Sequence, residues 1–286
     1  MPSPPSPCRL YVFLARDAPR AAVLRRGPSD WARLSLWHTD TDTVEHGQWI
    51  KCRVYERRSD ISADGSLFAY FARGAPRAST EPGADSWLAV SRPPYFTALA
   101  LWFVGTTYYT GGYFPERRSL WTGFGAAPPD EGRPPSWLSL KSELPPFIER
   151  GSEWTERTVF VNRLLRDGWR ALPDAATATT WERPEPDGSR TLLMTERVDR
   201  ASNAFGGRYV VEYAVCAPES DEIFPLGRAT WADWDHAGRV VIAQNGRLLA
   251  WQSPDILHEI ADFTMQRPDP APSPGHARTW PRAPRR

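Results

Sequence analysis

The sequence predicts an all-β protein made of many short antiparallel strands. Fourteen tryptophans among 286 residues favour pleated surfaces, on which large aromatic rings pack well. The 29 prolines lie mostly between apolar runs, which is typical of strands separated by turns. The third observation is a pattern of strand, glycine turn and strand that occurs twice in the second half.

Seven candidate strands precede residue 105. The segments RLYVFLAR, RAAVLRR and WARLSLW alternate with the short connections DAP and GPSD, which predicts three consecutive strands. RVYERRSDI, SLFAYFAR, SWLAVSRP and YFTALALW then predict a four-strand meander. Residues 105–146 mix glycine, proline and aromatic residues, and we expect strands with long loops there.

The repeat in the second half has a constant offset. TWERPEPDGSRTLLMTE and TWADWDHAGRVVIAQNG place Trp181 and Trp231 fifty residues apart, and Gly188 and Gly238 likewise. Each copy predicts a β-hairpin whose turn contains a glycine that tolerates positive φ. A second turn follows at Asn245-Gly246, because Asn-Gly between apolar runs is a strong hairpin signal.

A period near 50 with three or four strands per unit predicts a β-propeller. In DISADGSLFAYF, Asp60, Ser62, Asp64 and Gly65 resemble the Asp-x-Ser-x-Asp-Gly turn of TolB-type and WD40-like propeller blades. That resemblance implies that a blade strand follows the turn. We therefore expect one propeller over residues 8–264 with about five blades, four to six being compatible with the length.

Two features are predicted for the C-terminal part. The apolar spacing in DILHEIADF predicts a short helix over residues 255–263 that begins at an Asp cap. Residues 265–286 form a Pro- and Arg-rich tail, expected to be extended or disordered. Trp280 is a candidate to dock on the folded body.

Composition narrows the classes of partner. The formal net charge is +1, so no overall field favours nucleic acid or an anionic membrane. Cys8, Cys52 and Cys216 are too few and too scattered for a disulfide framework or a zinc site, and they are expected as small apolar residues. With no recognisable signal peptide or apolar span, we expect a cytoplasmic protein without a cofactor.

The densest polar stretch begins at Trp37. Possible metal ligands there are His38, Asp40, Asp42, Glu45 and His46. The Asp-x-Asp pair lacks the rest of a calcium loop and the flanking helices. We interpret the stretch as a solvated connection between strands and predict no metal site.

The strand CRVYERR carries an unusual amount of charge. Alternation would divide it into two faces, Arg53, Tyr55 and Arg57 against Val54, Glu56 and Arg58. One interpretation is a set of Glu–Arg ion pairs between blades, or an edge strand. The other is a charged lining of the channel or of one propeller face, where ligands usually bind.

Aromatic residues are concentrated in the glycine-rich segment, at Tyr108, Tyr109, Tyr113, Phe114, Trp121 and Phe124. They could stack on a partner peptide, a base or a sugar, or they could fold onto the body. No nucleophile elbow, Cys–His motif or phosphate-binding loop occurs. Asp233, Asp235 and Glu182 are candidate glycosidase carboxylates only because they lie on repeat strands.

The leading functional prediction is a non-enzymatic binding module for another protein. The predicted binding residues are Arg53, Tyr55, Arg57, Arg58, Tyr108, Tyr109, Tyr113, Phe114 and Trp121. The alternative is a carbohydrate-binding protein or glycoside hydrolase that uses the axial face of a five-bladed propeller. Catalysis is left open but is not favoured, and neither nucleic acid nor membrane is expected as a partner.

Overall fold

The computed structural model describes residues 8–74, 85–143, 145–148, 154–173 (side chains from 157 onward), 178–186, 188–198, 209–217, 222–254 and 256–283. Within these ranges the chain forms five β-sheets of three to five strands, one α-helix and one 3₁₀ turn. The predicted all-β class is therefore confirmed.

The first twelve strands are β1 (Arg9–Leu14), β2 (Arg20–Arg26), β3 (Trp31–His38), β4 (Thr43–Lys51), β5 (Arg53–Ile61), β6 (Phe68–Arg73), β7 (Ser86–Ser91), β8 (Ala98–Phe103), β9 (Gly112–Tyr113), β10 (Ser119–Thr122), β11 (Glu131–Gly132) and β12 (Ser139–Lys141). After them come α1 (Trp154–Arg166), β13 (Arg170–Ala171), β14 (Thr179–Pro184), β15 (Thr191–Val198), β16 (Tyr209–Ala217), β17 (Glu222–Arg228), β18 (Trp231–Trp234), β19 (Val240–Gln244), β20 (Arg247–Ser253), β21 (Ile256–Asp262) and a 3₁₀ turn (Gly275–Arg278).

Strand order follows chain order in most of the sheets. Sheet 1 is β1-β2-β3-β4, sheet 4 is β13-β14-β15-β16-β17, and sheet 5 is β18-β19-β20-β21. Sheet 2 has the order β11-β8-β7-β6-β5, so the predicted meander forms its main part. Sheet 3 has the order β12-β10-β9 and contains a parallel pair, β10 with β12.

The chain divides into two compact units. The large unit comprises the described residues of Val12–Arg163 and Gln266–Arg286. The small unit comprises those of Met1–Tyr11 and Leu164–Met265. The boundaries fall inside β1 and α1.

One buried cluster of the large unit lies on and beside sheet 2. Its buried members are Leu67, Ala69, Leu88, Val90, Leu99, Ala100, Trp102, Phe114, Leu120 and Leu138. Trp280 of the C-terminal segment packs against this cluster. Further contacts of the segment are hydrogen bonds from Gln48 to the carbonyl of Ala271 and from Arg92 to the carbonyl of His276.

In the small unit the repeat tryptophans lie in the core. Trp181 and Trp231 are both buried, because each lies on the inward side of the first strand of its hairpin. Thr230, which precedes Trp231, donates a hydrogen bond of 2.6 Å to the carbonyl of Leu10. The predicted hairpins β14–β15, β18–β19 and β19–β20 are confirmed.

Three hairpin turns share one hydrogen-bond arrangement, in which a glycine amide donates to the carbonyl three residues earlier. The glycines have φ values of +71°, +78° and +75°, a conformation that side chains with a Cβ adopt at a cost. The pairs are Gly65 to Ser62 (2.9 Å), Gly188 to Glu185 (2.9 Å) and Gly238 to Asp235 (3.1 Å). The turn that resembles a propeller-blade motif and the two repeat turns therefore share this glycine bond. The turns at Gly65 and Gly188 are closed by bonds from Ser62 to Leu67 and from Glu185 to Arg190, whereas the turn at Gly238 closes one residue earlier, from Asp235 to Arg239.

Two sequence predictions about local structure were wrong. Residues 256–262 form strand β21, not a helix, because the last strand of sheet 5 pairs with β20 and satisfies its backbone groups. The stretch 37–46 is a β-hairpin with its turn at 39–42, and β4 begins at Thr43. It was predicted as a connection between strands.

The α-helix α1 was not predicted. Its buried face includes Val159 but also Asn162 and Arg163, so polar residues interrupt the apolar spacing that reveals a helix. Asn162 binds the backbone of Phe147 through both ends of its amide, at 3.1 Å and 2.8 Å. Among the described helices, none has the length and apolar character needed to cross a membrane.

Candidate interaction surface

Strand β5 is interrupted by a bulge that changes which way its side chains point. Tyr55 pairs with Phe71 and Asp60 pairs with Ala69, so five residue steps on β5 match two steps on β6. Three extra residues are accommodated, and the alternation of faces does not continue through them. Arg58 consequently lies over the ring of Tyr55, 4.8 Å from its centroid. The predicted placement of these two residues on opposite faces was wrong.

The bulge is held by Arg163 of α1. Its guanidinium donates to the carbonyl of Glu56 at 2.9 Å and to the carbonyl of Ser59. It also lies 3.7 Å from the carboxylate of Asp60, which accepts a hydrogen bond of 2.8 Å from the amide of Phe114. The carbonyls that the bulge removes from the ladder therefore have a partner.

Guanidinium groups and aromatic rings are stacked beside the bulge. Arg53 and Arg58 each lie 4.8 Å from the ring centroid of Tyr55. Arg58 is also 5.2 Å from the ring of Phe71, which contacts Tyr55 at 5.4 Å. Cation–π contacts of this kind order both partners, and more strongly where water is excluded.

The Gly-rich loop that contains Tyr109 packs against this stack. Tyr109 lies 5.8 Å from Phe71 and 4.5 Å from Phe124, and burial raises the pKa of its hydroxyl. Arg58 donates a hydrogen bond to the carbonyl of Thr107 in the same loop. The two segments that the sequence singled out, the charged strand and the Gly-rich loop, are thus brought together.

Gly111 allows the loop to approach β5 so closely. Its φ is +90°, and a Cβ at this position would overlap the backbone oxygen of Arg58. A residue without a side chain is required for both reasons.

The exposed part of the cluster is small and rich in tyrosine and arginine. Tyr108, next to Thr107, is 75% exposed, Arg53 is exposed and Tyr55 is half-buried. Arg73 lies directly opposite Arg53 in the register of β5 and β6, and its side chain is 55% exposed. We call Arg53, Tyr55, Arg73 and Tyr108 the basic aromatic surface; Arg58 is buried and underlies it through its contact with the ring of Tyr55.

Sequence reasoning missed Arg73. The predicted hairpin between β5 and β6 carried a signal for it. In a regular hairpin, residues at equal distances from the turn lie opposite each other, so the outer ends of the two strands are paired. The bulge in β5 shifts that count by three residues, so the partner of Arg53 emerges only from the observed register.

Other predicted binding residues lie inside the large unit. Tyr113 and Trp121 are buried and their rings are 5.7 Å apart, and Phe114 belongs to the core cluster. Arg57 lies 4.1 Å from the ring of Phe160 on α1. These side chains pack the fold and are not part of the basic aromatic surface.

The other interpretation of the charged strand, as a source of Glu–Arg ion pairs or as an edge strand, also has support. Glu56 forms an ion pair of 2.5 Å with Arg26 of β2, and β5 is the terminal strand in the order of sheet 2. The charge of Glu56 is therefore used in an ion pair between sheets 1 and 2.

The carboxylates considered for glycoside chemistry are engaged within the small unit. Asp233 is buried against Arg183 and accepts a hydrogen bond of 2.8 Å from the amide of Trp234. Burial raises the pKa of Asp233, and the neighbouring Arg183 acts in the opposite direction. Asp235 and Glu182 are each ion-paired with an arginine.

The polar stretch around 38–46 makes local contacts. Trp37 donates to the carboxylate of Asp42 at 3.2 Å, and Ser35 lies 3.2 Å from the ring of His46. In the part of the chain that the structure describes, no group of three or more His, Cys, Asp or Glu side chains has an arrangement suited to a metal ion.

No protein-family model matches the chain, and no curated protein sequence matches it significantly. The class that the fold defines is an all-β protein with five sheets and one short helix in its described residues.

Proposed function

We propose that this protein is a non-catalytic binding module whose partner is another protein and whose contact site is the basic aromatic surface. The observation that carries the proposal is the exposure of Tyr108 and Arg53 beside an ordered guanidinium–aromatic stack. Tyrosine and arginine, together with tryptophan, are enriched among the residues that contribute most to protein–protein affinity. A stack that is ordered before binding loses less side-chain entropy on association.

A second part of the proposal concerns architecture. The five sheets are the blades of one β-propeller, and the supporting observation is the shared glycine bond and positive φ in the turns at Gly65, Gly188 and Gly238 of sheets 2, 4 and 5. A closed propeller of this chain length has an expected radius of gyration of roughly 19 Å. Small-angle scattering measures it, and a distinctly larger value with a two-lobed distance distribution would contradict closure.

Affinity purification with matched variants tests the binding role. The full chain is immobilised as wild type, as Tyr108→Ala and as Arg133→Ala, an exposed arginine beyond β11 at the opposite edge of sheet 2. We expect proteins retained by the wild type and by Arg133→Ala to be lost with Tyr108→Ala. Retention of the same proteins by all three forms would contradict the choice of surface.

The alternative, glycan binding or cleavage, has less support. Asp233 and Asp235 are buried and paired with arginines of the small unit, so both carboxylates are already engaged within the fold. Titration of the purified chain with common oligosaccharides, followed by calorimetry, measures that alternative directly.

A further inference from the structure

We infer that the partner contacts the basic aromatic surface with an acidic peptide segment, whose carboxylates bind Arg53 and Arg73. This inference rests on the proposed function. Its starting point is the register, in which Arg53 and Arg73 are direct partners of the antiparallel pair β5–β6. Side chains of directly opposite residues project from the same face of a sheet, with Cβ atoms about 5 Å apart.

Like charges at directly opposite positions destabilise a sheet. Both arginines are exposed, so their guanidinium groups are accessible to an anion that would lie between them. A carboxylate from a partner would remove the repulsion and gain charge-assisted hydrogen bonds from the planar guanidinium forks.

Arg73 already binds one carboxylate of this chain, that of Asp85. Its carboxylate lies 3.4 Å from Nε of Arg73, with 34% of its side chain exposed. An exposed pair of this kind contributes about 0–1 kcal/mol to stability, so a partner carboxylate can replace it at little cost. Asp85, which directly precedes β7, therefore shows that the guanidinium of Arg73 binds a carboxylate, on the side of β6 away from β5.

The remaining part of the surface suits the neighbours of an acidic residue. Tyr55 is half-buried beneath Arg53, and Tyr108 presents a largely exposed ring. An aromatic or aliphatic side chain next to the partner's carboxylates could pack on Tyr108. A nucleic-acid strand needs a longer basic groove that follows several phosphates, and the formal net charge of +1 gives no long-range attraction for it.

Selection from a phage-displayed library of short random peptides tests the inference on the full chain. We expect the selected peptides to be enriched in Asp and Glu relative to the unselected library. A synthetic copy of the most enriched peptide is then titrated by fluorescence anisotropy. Arg53→Gln and Arg73→Gln should each weaken binding about tenfold, whereas Arg133→Gln should bind as the wild type does.

Salt and control ligands complete the test. Raising the ionic strength from about 0.05 M to about 0.5 M should weaken peptide binding by the wild type more than binding by Arg53→Gln, because the screened attraction is partly absent in the variant.

Selected peptides that require Tyr108 but lack an acidic excess would overturn this inference and leave the proposed function standing. Failure to select any peptide that distinguishes the wild type from Tyr108→Ala would overturn both. Tighter binding of a single-stranded DNA oligonucleotide, lost in Arg53→Gln, would replace the acidic peptide with nucleic acid.

Discussion

The guanidinium of Arg163 lies 3.7 Å from the carboxylate of Asp60, and both side chains are almost completely buried. This pair connects α1 to the bulge of β5, and the bulge in turn places Arg58 on the ring of Tyr55. The geometry of the basic aromatic surface therefore depends on a helix to which none of the residues named for that surface belongs.

Replacing Arg163 tests that dependence. Arg163→Ala leaves Asp60 buried without this partner and removes the donor for the carbonyls of Glu56 and Ser59. We expect the free energy of unfolding, measured by urea denaturation, to fall by about 3–5 kcal/mol.

The matched control breaks an exposed pair of the same chemistry. Arg117 and Asp17 are 2.8 Å apart with side chains 45% and 34% exposed. Arg117→Ala should cost no more than about 1 kcal/mol. Equal losses in the two variants would show that Arg163 does not hold the bulge.

Gly111 and Gly168 provide a second comparison, since both have φ near +90°. Among the described residues, no atom lies within 4 Å of the position that a Cβ would take at Gly168. Gly168→Ala should therefore cost about 1–2 kcal/mol for the backbone conformation alone. Gly111→Ala adds an overlap with the backbone of Arg58 and should cost about 2–5 kcal/mol. Thermal unfolding of the two variants measures the difference, and a smaller loss for Gly111→Ala would contradict the close approach of loop and strand.

The two repeat turns differ in how their acidic residue is used. Asp235 accepts hydrogen bonds from the amides of Ala237 and Arg239, both 2.9 Å, besides its ion pair. Glu185 binds the side chains of Ser189 and Arg190. We expect Asp235→Ala to lower the free energy of unfolding by about 1–3 kcal/mol, more than Glu185→Ala does, because backbone donors then lose their acceptor. Denaturant titration of both variants decides the order, and the reverse order would show that the backbone bonds at Asp235 matter less than the ion pairs.

His46 should make stability depend on pH. Burial first, and the charge of Arg33 second, lower its pKa below the ordinary value of 6.5. The unfolded chain then binds the proton more readily than the folded chain, so stability decreases as pH falls from about 6.5 towards the lower pKa of the folded state. His46→Gln should flatten this part of the pH profile of urea midpoints. A profile unchanged by the substitution would assign the decrease to other groups.

The hairpins could be predicted because their signals are local. Gly188, Gly238 and Asn245-Gly246 each specify a turn through backbone conformation, and the apolar runs beside them specify strands. The charge on the predicted strand selected Arg53 and Tyr55, and the aromatic residues of the Gly-rich segment selected Tyr109; the structure brings the three into one stack.

Prediction failed where distant residues decide the conformation. Residues 256–262 have apolar spacing that suits a helix, yet pairing with β20 makes them a strand. In α1, the buried Asn162 and Arg163 serve the backbone of other segments, so their burial leaves no apolar signal.

The sequence by itself determined the all-β class, the positions of the glycine turns and the segments that hold the candidate surface. Only the tertiary structure decided that Tyr113 and Trp121 are buried, that Arg58 stacks on Tyr55, and that Arg73 faces Arg53. Turn conformation depends on a few consecutive residues. Register, bulges and burial depend on backbone groups and rings supplied from elsewhere in the chain.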